Sequence, residues 1–326
     1  MSRERFLVTG AFGCLGAWVV HELVGAGVDV VSFDIGNDDF RIRYLLDDGA
    51  LARVTRVRGD IADPLAVREA VLDHGITNVL HLAALQIPAC AANPSSGALA
   101  NVVGTINVFE AVKNTPAADR PIVYASSVAA YDAIDDPAAD KFEPSGRPSS
   151  HYGVFKFANE GNARVFARDD GLASIGLRPA VVYGVGRDQG KTSAPTAAML
   201  AAARGMPFKI TFSGSCQMQY AQDVARAFIT ASRTDHEGAA IVNLDAPSVD
   251  VQEIVEAIRT VTPETADRIV VSGDPLPFPV RVPDDGVVQL LGRTAATSLV
   301  DGVAETISRF RNLLASGRMD DRYGRK

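Results

Sequence analysis

The sequence predicts an α/β fold, a doubly wound parallel sheet with a small C-terminal lobe. Three observations predict it. Short, predominantly apolar runs alternate with helix-period segments through residue 184. A glycine-rich turn follows the first apolar run, and the alternation lapses after Gly184.

The elements follow in order. Arg5 to Thr9 is an apolar strand stopped by Gly10. From Leu15 to Val24 the apolar positions recur at helical spacing, and Gly25-Ala26-Gly27 closes that helix. Val28 to Phe33 is a second strand, ending at Asp34. The pattern repeats in Val54 to Val57, a helix from Pro64, Val79 to Ala83, a helix across Ala98 to Val112, and Ile122 to Ser126. Another helix begins near Tyr152, and Ala173 to Val182 reads as one further strand. Strands apolar along their whole length belong to a parallel sheet covered on both faces, and right-handed crossovers wind it to both sides. Asp132 to Ser150, rich in Asp, Pro and Ser, reads as a surface loop over the functional edge. After Gly184 come a Gly/Arg/Asp/Gln turn and an Ala-rich helix, Thr196 to Arg204. Ala240 to Leu244 reads as a returning core strand, Val303 to Leu314 as the last helix, and Ser316 to Lys326 as a polar, fraying end. The expected division is 1–184 for the wound sheet and 185–326 mainly for the lobe, with roughly 217–245 returning to the core.

Composition narrows the function. Apolar content of 47% and charged content of 22% are ordinary for a soluble protein. A net charge of −7 leaves no basic stripe for phosphate neutralisation, which argues against nucleic acid. The Arg-containing start runs directly into a strand, so no signal peptide is expected, and no apolar run reaches bilayer length. Cys14, Cys90 and Cys216 lack metal-ligand spacing; reduced thiols, no metal and a cytoplasmic location are expected.

Gly10-Ala-Phe-Gly13-Cys-Leu-Gly16 sits between a predicted strand and a predicted helix. Gly10 permits a tight turn, Gly13 lets backbone approach a pyrophosphate, and Gly16 allows close helix–strand packing; the helix N-terminus then faces the anion. An ordinary glycine turn is the plainer alternative, but the strand–turn–helix context favours a Rossmann-like dinucleotide site. Asp34 ends strand two, where a carboxylate accepts from ribose hydroxyls and repels a 2′-phosphate, so NAD is expected over NADP. Arg41 and Arg43 keep NADP open. Asp60-Ile61 stands where an adenine ring would be capped, and His81-Leu82-Ala83-Ala84 offers small residues where backbone meets cofactor. His81 itself reads as a satisfied strand histidine more than a catalyst.

Tyr152 and Lys156 are four apart and share one helical face. An ammonium there favours the ionised phenol and lowers its pKa from about 10, suiting it to acid–base work. Ser127, ending strand five on the same edge, can hydrogen-bond a reacting oxygen.

These residues resemble the extended short-chain dehydrogenase/reductase family, the NAD-dependent epimerase/dehydratase type. The resemblance covers nearly the whole chain: Thr9 to Gly16, Asp60-Ile61, His81 to Ala84, Asn101-x-x-Gly104-Thr105, Tyr124-Ala-Ser-Ser127, Tyr152-x-x-x-Lys156 and Leu177-Arg-Pro to Tyr183-Gly184. It implies catalytic Ser127, Tyr152 and Lys156. It implies cofactor contacts at Gly10, Phe12, Gly13, Cys14, Leu15, Gly16, Asp34, Asp60, Ile61, Leu82, Ala83, Ala84, Asn101, Ala125, Tyr152, Lys156, Pro179, Val181 and Val182. It also implies a homodimer through the helices around Ala98 to Val112 and Tyr152 to Ala167. Two positions depart from nucleotide-sugar members: Val181 stands where they carry Asn, and Cys216, seven before Asp223, where they carry Arg. The expected activity is therefore NAD-dependent interconversion of a secondary alcohol and a ketone on a small polar molecule such as a free sugar, sugar acid or hydroxy-amino acid. A nucleotide-sugar epimerase or dehydratase with bound NAD is the alternative, and a non-catalytic dinucleotide sensor a minor one. Expected substrate contacts are Gln86, Ser127, Tyr131, Thr192 and Gln219.

Overall fold

In the computed structural model the described residues are 4–131, 148–276, 281–282, 286–292 and 296–320. Their strands are β1 (Arg5–Thr9), β2 (Asp29–Asp34), β3 (Val54–Arg58), β4 (Asn78–His81), β5 (Ile122–Ala125), β6 (Ser174–Arg178), β7 (Val181–Tyr183), β8 (Phe208–Ile210), β9 (Ser215–Tyr220), β10 (Ala239–Asn243), β11 (Ser248–Asp250) and β12 (Ile269–Val271).

Seven of them form one sheet in the order β10-β6-β5-β4-β1-β2-β3, with every neighbouring pair parallel. The chain moves outward from β1 to β3 and then returns to β4 on the other side of β1. Strand order reverses there, opening a crevice at the strands' carboxyl ends where α/β sheets bind ligands.

Both faces are covered, for a reason visible in β1. Phe6 and Val8 enter the core cluster on one side and Leu7 the cluster on the other, all three fully buried. On the first side helices Cys14–Gly25 and Ala221–Ala231 pack together. On the second lie Pro64–Leu72, Gly104–Val112 and the long helix His151–Asp170. Phe109 and Phe166 stack between two of these at 4.9 Å between ring centroids. Each fully buried large apolar side chain contributes about 1.5–3 kcal/mol.

Three local expectations change. Ala173 to Val182 is two strands rather than one. Pro179 has no N–H for a ladder, so β6 ends before it, between β5 and β10, while β7 beyond it pairs with β9 in a separate three-stranded sheet, β11-β9-β7. The helix expected across Ala98 to Val112 carries a π-helical turn, Leu99–Val103, ahead of Gly104–Val112. At the polar end, Arg318 donates to Leu46 O at 2.8 Å and Asp320 N to Tyr44 Oη at 2.7 Å, so the described part is tied down. Most of the expected loop Asp132 to Ser150, residues 132–147, lies outside the described residues, as do 321–326. No described helix is long and apolar enough to cross a membrane.

Candidate active site

The carboxyl ends of β1 through β6 open into a cavity of about 1290 Å³. Its floor is the turn after β1. Gly10 has φ +67°, and a Cβ there would fall 2.6 Å from Ala83 N; one on Gly16 would fall 2.2 Å from Gly10 O. Only glycine allows turn, helix and the β4 loop to approach this closely. Gly13 caps the helix Cys14–Gly25 with no side chain over its end, so the first-turn N–H groups beside the cavity meet an anion directly. This backbone cradle fits a dinucleotide's diphosphate.

Asp34 lines the same cavity and is anchored from two sides: Phe12 N donates to Oδ2 and Gly36 N to Oδ1, both at 2.9 Å. Its fixed negative charge suits ribose hydroxyls and opposes a 2′-phosphate. The arginines that left NADP open are engaged elsewhere. Arg41 forms a bidentate pair with Asp188 (2.8 and 2.9 Å) and donates to Gly186 O and Phe12 O. Arg43 pairs with Asp38 and Asp39. NAD should therefore bind more tightly than NADP; calorimetric titration of both checks this, and tighter NADP would contradict it.

The reactive corner is built by a helix start. Ser150 caps His151–Asp170 by accepting from Gly153 N at 3.1 Å. A Cβ on Gly153 would lie 2.1 Å from Ala129 O, so glycine lets this helix sit against the turn after β5. Tyr152 thereby reaches Ser127, whose hydroxyl hydrogen-bonds it and also accepts from Ala129 N at 3.1 Å. One turn along, Lys156 Nζ donates to Ala125 O at 2.6 Å and lies 5.4 Å from the Tyr152 ring centroid.

Electrostatics here differ from the expectation. Burial raises the Tyr152 phenol above its ordinary pKa; the Ser127 hydrogen bond and the Arg187 charge pull it back, with Cys90 opposing them. Burial also lowers Lys156 to about 8, the strongest influence on it. Pairing along the helix was the wrong guide because both groups lie deep beneath the surface, where desolvation dominates.

The lysine shift has a consequence for stability. A buried base with a folded pKa of about 8 against 10.5 unfolded burdens the fold fully below pH 8, and the burden disappears as pH rises to 10.5. Lys156→Met should thus raise stability by about 1–3 kcal/mol at neutral pH, after loss of the hydrogen bond to Ala125. The gain should fade above pH 10.5, as urea titrations of both proteins would show; a variant less stable at neutral pH would contradict it.

Beneath the corner lies a buried network. Glu160, on the Tyr152 helix, pairs bidentately with Arg178 at the end of β6 (2.8 Å each) and accepts from Ser126 Oγ at 2.5 Å. Arg178 also donates to Tyr131 Oη at 3.1 Å, and that hydroxyl bonds Asn243 on β10.

The expected site residues distribute as follows. Gly10, Phe12, Gly13, Cys14, Leu15, Gly16, Asp34, Asp60, Ile61, Leu82, Ala83, Ala84, Ala125, Ser127, Tyr152, Lys156, Pro179, Val181 and Val182 all line the cavity, as do Gln86 and Thr192. Three others do not, and each is occupied. Asn101 is buried, with its amide bonded to Leu85 N and O, so it holds the loop after β4 instead of facing a ligand. Tyr131 belongs to the network below. Gln219 accepts from Ala180 N at 2.8 Å and donates to Leu244 O at 2.6 Å, so it braces the cavity-wall backbone at Ala180 from behind and does not itself line the cavity. His81 bridges Thr9 and Thr105 hydroxyls at 2.8 and 2.9 Å, and burial drops its pKa to about 3, leaving a neutral strut. Sequence reasoning missed Ser126, Arg187 and Lys191 on the cavity wall. An arginine and a lysine just past the Tyr183-Gly184 turn were the available signal.

Residues 6–244 match the NAD dependent epimerase/dehydratase family. The chain belongs to that family. It is an NAD-dependent enzyme of the extended short-chain type. Among family relatives, the UDP-glucose 4-epimerase of Streptomyces lividans is 28% identical over 275 residues, covering 79% of this chain and 81% of that protein. Tetraketide alpha-pyrone reductase 1 of Arabidopsis thaliana is 24% identical over 251 residues, covering 73% and 74%. In fold, the UDP-glucose 4-epimerase of Thermotoga maritima, crystallised with UDP-glucose, superposes with a TM-score of 0.79 at 23% identity, over 95% of this chain and 99% of that one.

Proposed function

We propose that this family member is a net oxidoreductase: it interconverts a secondary alcohol and a ketone on a small polar molecule, with NAD as cofactor. When bound, NAD would supply the acceptor for the hydride that leaves the carbinol carbon. The glycine turn and the helix start at Cys14 hold the diphosphate, Asp34 the adenosine ribose, and Asp60 and Ile61 the adenine. Pro179, Val181 and Val182, on the cavity wall, would flank the nicotinamide. Tyr152 takes the hydroxyl proton in oxidation and returns it in reduction. Ser127 hydrogen-bonds the reacting oxygen while bonded to the phenol. Lys156, fixed on Ala125 O, would hold positive charge beside the tyrosine ring and hydrogen-bond the nicotinamide ribose of a bound cofactor.

One observation carries the choice of a small substrate. Among the described residues after Thr192, only Leu276 lines the cavity. The described residues of 185–326 meet the cavity through the Gly186–Thr192 loop and Leu276, which supports a reading in which 1–184 supplies the dinucleotide crevice. Where nucleotide-sugar enzymes carry an arginine, Cys216 is a buried thiol paired to Val249 on β11, its pKa raised by burial to about 11. No cation for a second diphosphate comes from that strand.

The relatives named as UDP-glucose 4-epimerases favour a second reading, epimerisation of a nucleotide sugar with NAD retained. Nicotinamide absorbance separates the two. Stoichiometric conversion of NAD during turnover of a small alcohol supports net oxidoreduction; UDP-sugar turnover with no net absorbance change overturns it. Exposed Leu99, Val103, Val154 and Val165 on the two helices singled out for pairing support a homodimer. A monomer mass by light scattering at working concentration would refute that.

A further inference from the structure

The loop between β7 and the helix Ala194–Ala203 holds a guanidinium that the mechanism leaves unused. Gly184 (φ +134°) and Gly186 (φ +92°) turn the chain toward the cavity, and Arg187 N donates to Gly184 O at 3.0 Å. Arg41 grips the loop on both sides of Arg187, through Gly186 O and the Asp188 carboxylate. Arg187 is therefore presented from a fixed backbone.

Its own partners are neutral. Nη2 donates to Thr192 Oγ1 at 2.7 Å and Nη1 reaches Gln86 Oε1 at 3.4 Å, while Nε is buried with no acceptor among the described residues. Among the described residues no carboxylate pairs with it; the adjacent Asp188 is taken by Arg41. Leaving a buried charged donor unmatched is costly, and a planar guanidinium fork matches a carboxylate in geometry as well as charge. Lys191 adds a second cation on the same wall. The Arg187 charge reaches the Tyr152 phenol and the Cys14 thiol, so it stands between the proton-transfer corner and the dinucleotide turn.

We infer that Arg187 is the anion anchor of this cavity and receives the carboxylate of the substrate, so that the enzyme acts on small hydroxy acids and rejects their neutral counterparts. The inference rests on the oxidoreductase reading above. Gripping the acid group at Arg187 would orient the neighbouring carbinol at Tyr152 and Ser127, with Gln86 and Thr192 fixing the guanidinium's plane. The cofactor's diphosphate is the other oxyanion within this guanidinium's chemistry, and the test separates the two.

NAD-loaded wild type, Arg187→Met and Arg187→Lys would be titrated calorimetrically with sodium malonate, a small dicarboxylate probe. Matched pairs (glucuronate and glucose, galacturonate and galactose, threonine and threoninamide) would be assayed by nicotinamide absorbance. Expected is malonate affinity reduced about ten- to hundredfold in Arg187→Met and partly restored in Arg187→Lys. KM for the acid member should rise similarly with kcat less affected, preference for acid over neutral should vanish, and NAD affinity should be unchanged. NAD affinity falling in Arg187→Met while acid preference persists would assign the guanidinium to the diphosphate and overturn the inference. Equal wild-type turnover of acid and neutral members would also overturn it. Malonate binding that depends on Arg187, with none of these alcohols oxidised, would sustain the anchor and count against the oxidoreductase reading alone.

Discussion

Tyr152→Phe should lower kcat/KM by about two to four orders of magnitude while leaving NAD affinity unchanged. The substitution removes one oxygen from a buried ring and adds no volume, so the helix start at Ser150 and the packing of Gly153 on Ala129 persist. What disappears is the group that exchanges a proton with the reacting oxygen. Ser127 then loses its phenolic partner but keeps its bond to Ala129 N. Burial raises the phenol above its ordinary value, so its base form grows only on the alkaline side. Wild-type oxidation should accelerate with pH and reduction should slow, and both slopes should flatten in the variant. Steady-state assays in both directions, with NAD titrated separately, check this. Near-normal turnover in Tyr152→Phe would reject the phenol as acid–base group.

The second large effect is on stability. Glu160 is fully buried on the Tyr152 helix and meets Arg178, itself almost fully buried, through two 2.8 Å hydrogen bonds. Glu160→Gln leaves the guanidinium charged, desolvated and without a counterion, which costs about 3–5 kcal/mol. For a chain of this size the thermal midpoint should fall on the order of 5–10 °C. Activity should fall as well, since Ser126 hangs on the same carboxylate and precedes Ser127. The double variant Glu160→Leu with Arg178→Met removes both charges and should recover most of the midpoint. Melting curves by circular dichroism decide the matter; an unchanged midpoint in Glu160→Gln would mean the pair contributes little.

Much of the fold was legible because its signals are local. Predominantly apolar runs such as Val28 to Phe33 and Ile122 to Ser126 identify parallel strands, and the Gly10 to Gly16 turn identifies the cradle at the edge of β1. Pro179 marked a break that periodicity alone overrode, and two strands resulted. The Ser127, Tyr152 and Lys156 corner was readable for the same reason: two members share a helix face, and the third ends a strand.

What escaped depends on partners distant in sequence. Tyr131 finds Asn243 and Arg178, and Gln219 finds Leu244 O and Ala180 N, so polar side chains expected at the cavity instead brace strands around it. Glu160 repeats the helix-face spacing after Lys156, yet only its meeting with Arg178 reveals its role. The phenol's direction of shift was missed because desolvation is a property of depth, which spacing does not encode. Arg187 lies in a turn of polar residues, and what fixes it there is Arg41, far away in sequence, through Gly186 O and Asp188.

The most direct test follows the hydrogen itself. Wild-type enzyme would be given NAD and a secondary alcohol it turns over, deuterated at the carbinol carbon, and the reduced nicotinamide analysed by mass spectrometry. The account predicts deuterium in the nicotinamide with a primary isotope effect on turnover, and label transfer slowed by about two to four orders of magnitude in Tyr152→Phe. Deuterium retained in the organic product, with no labelled nicotinamide released, would contradict it.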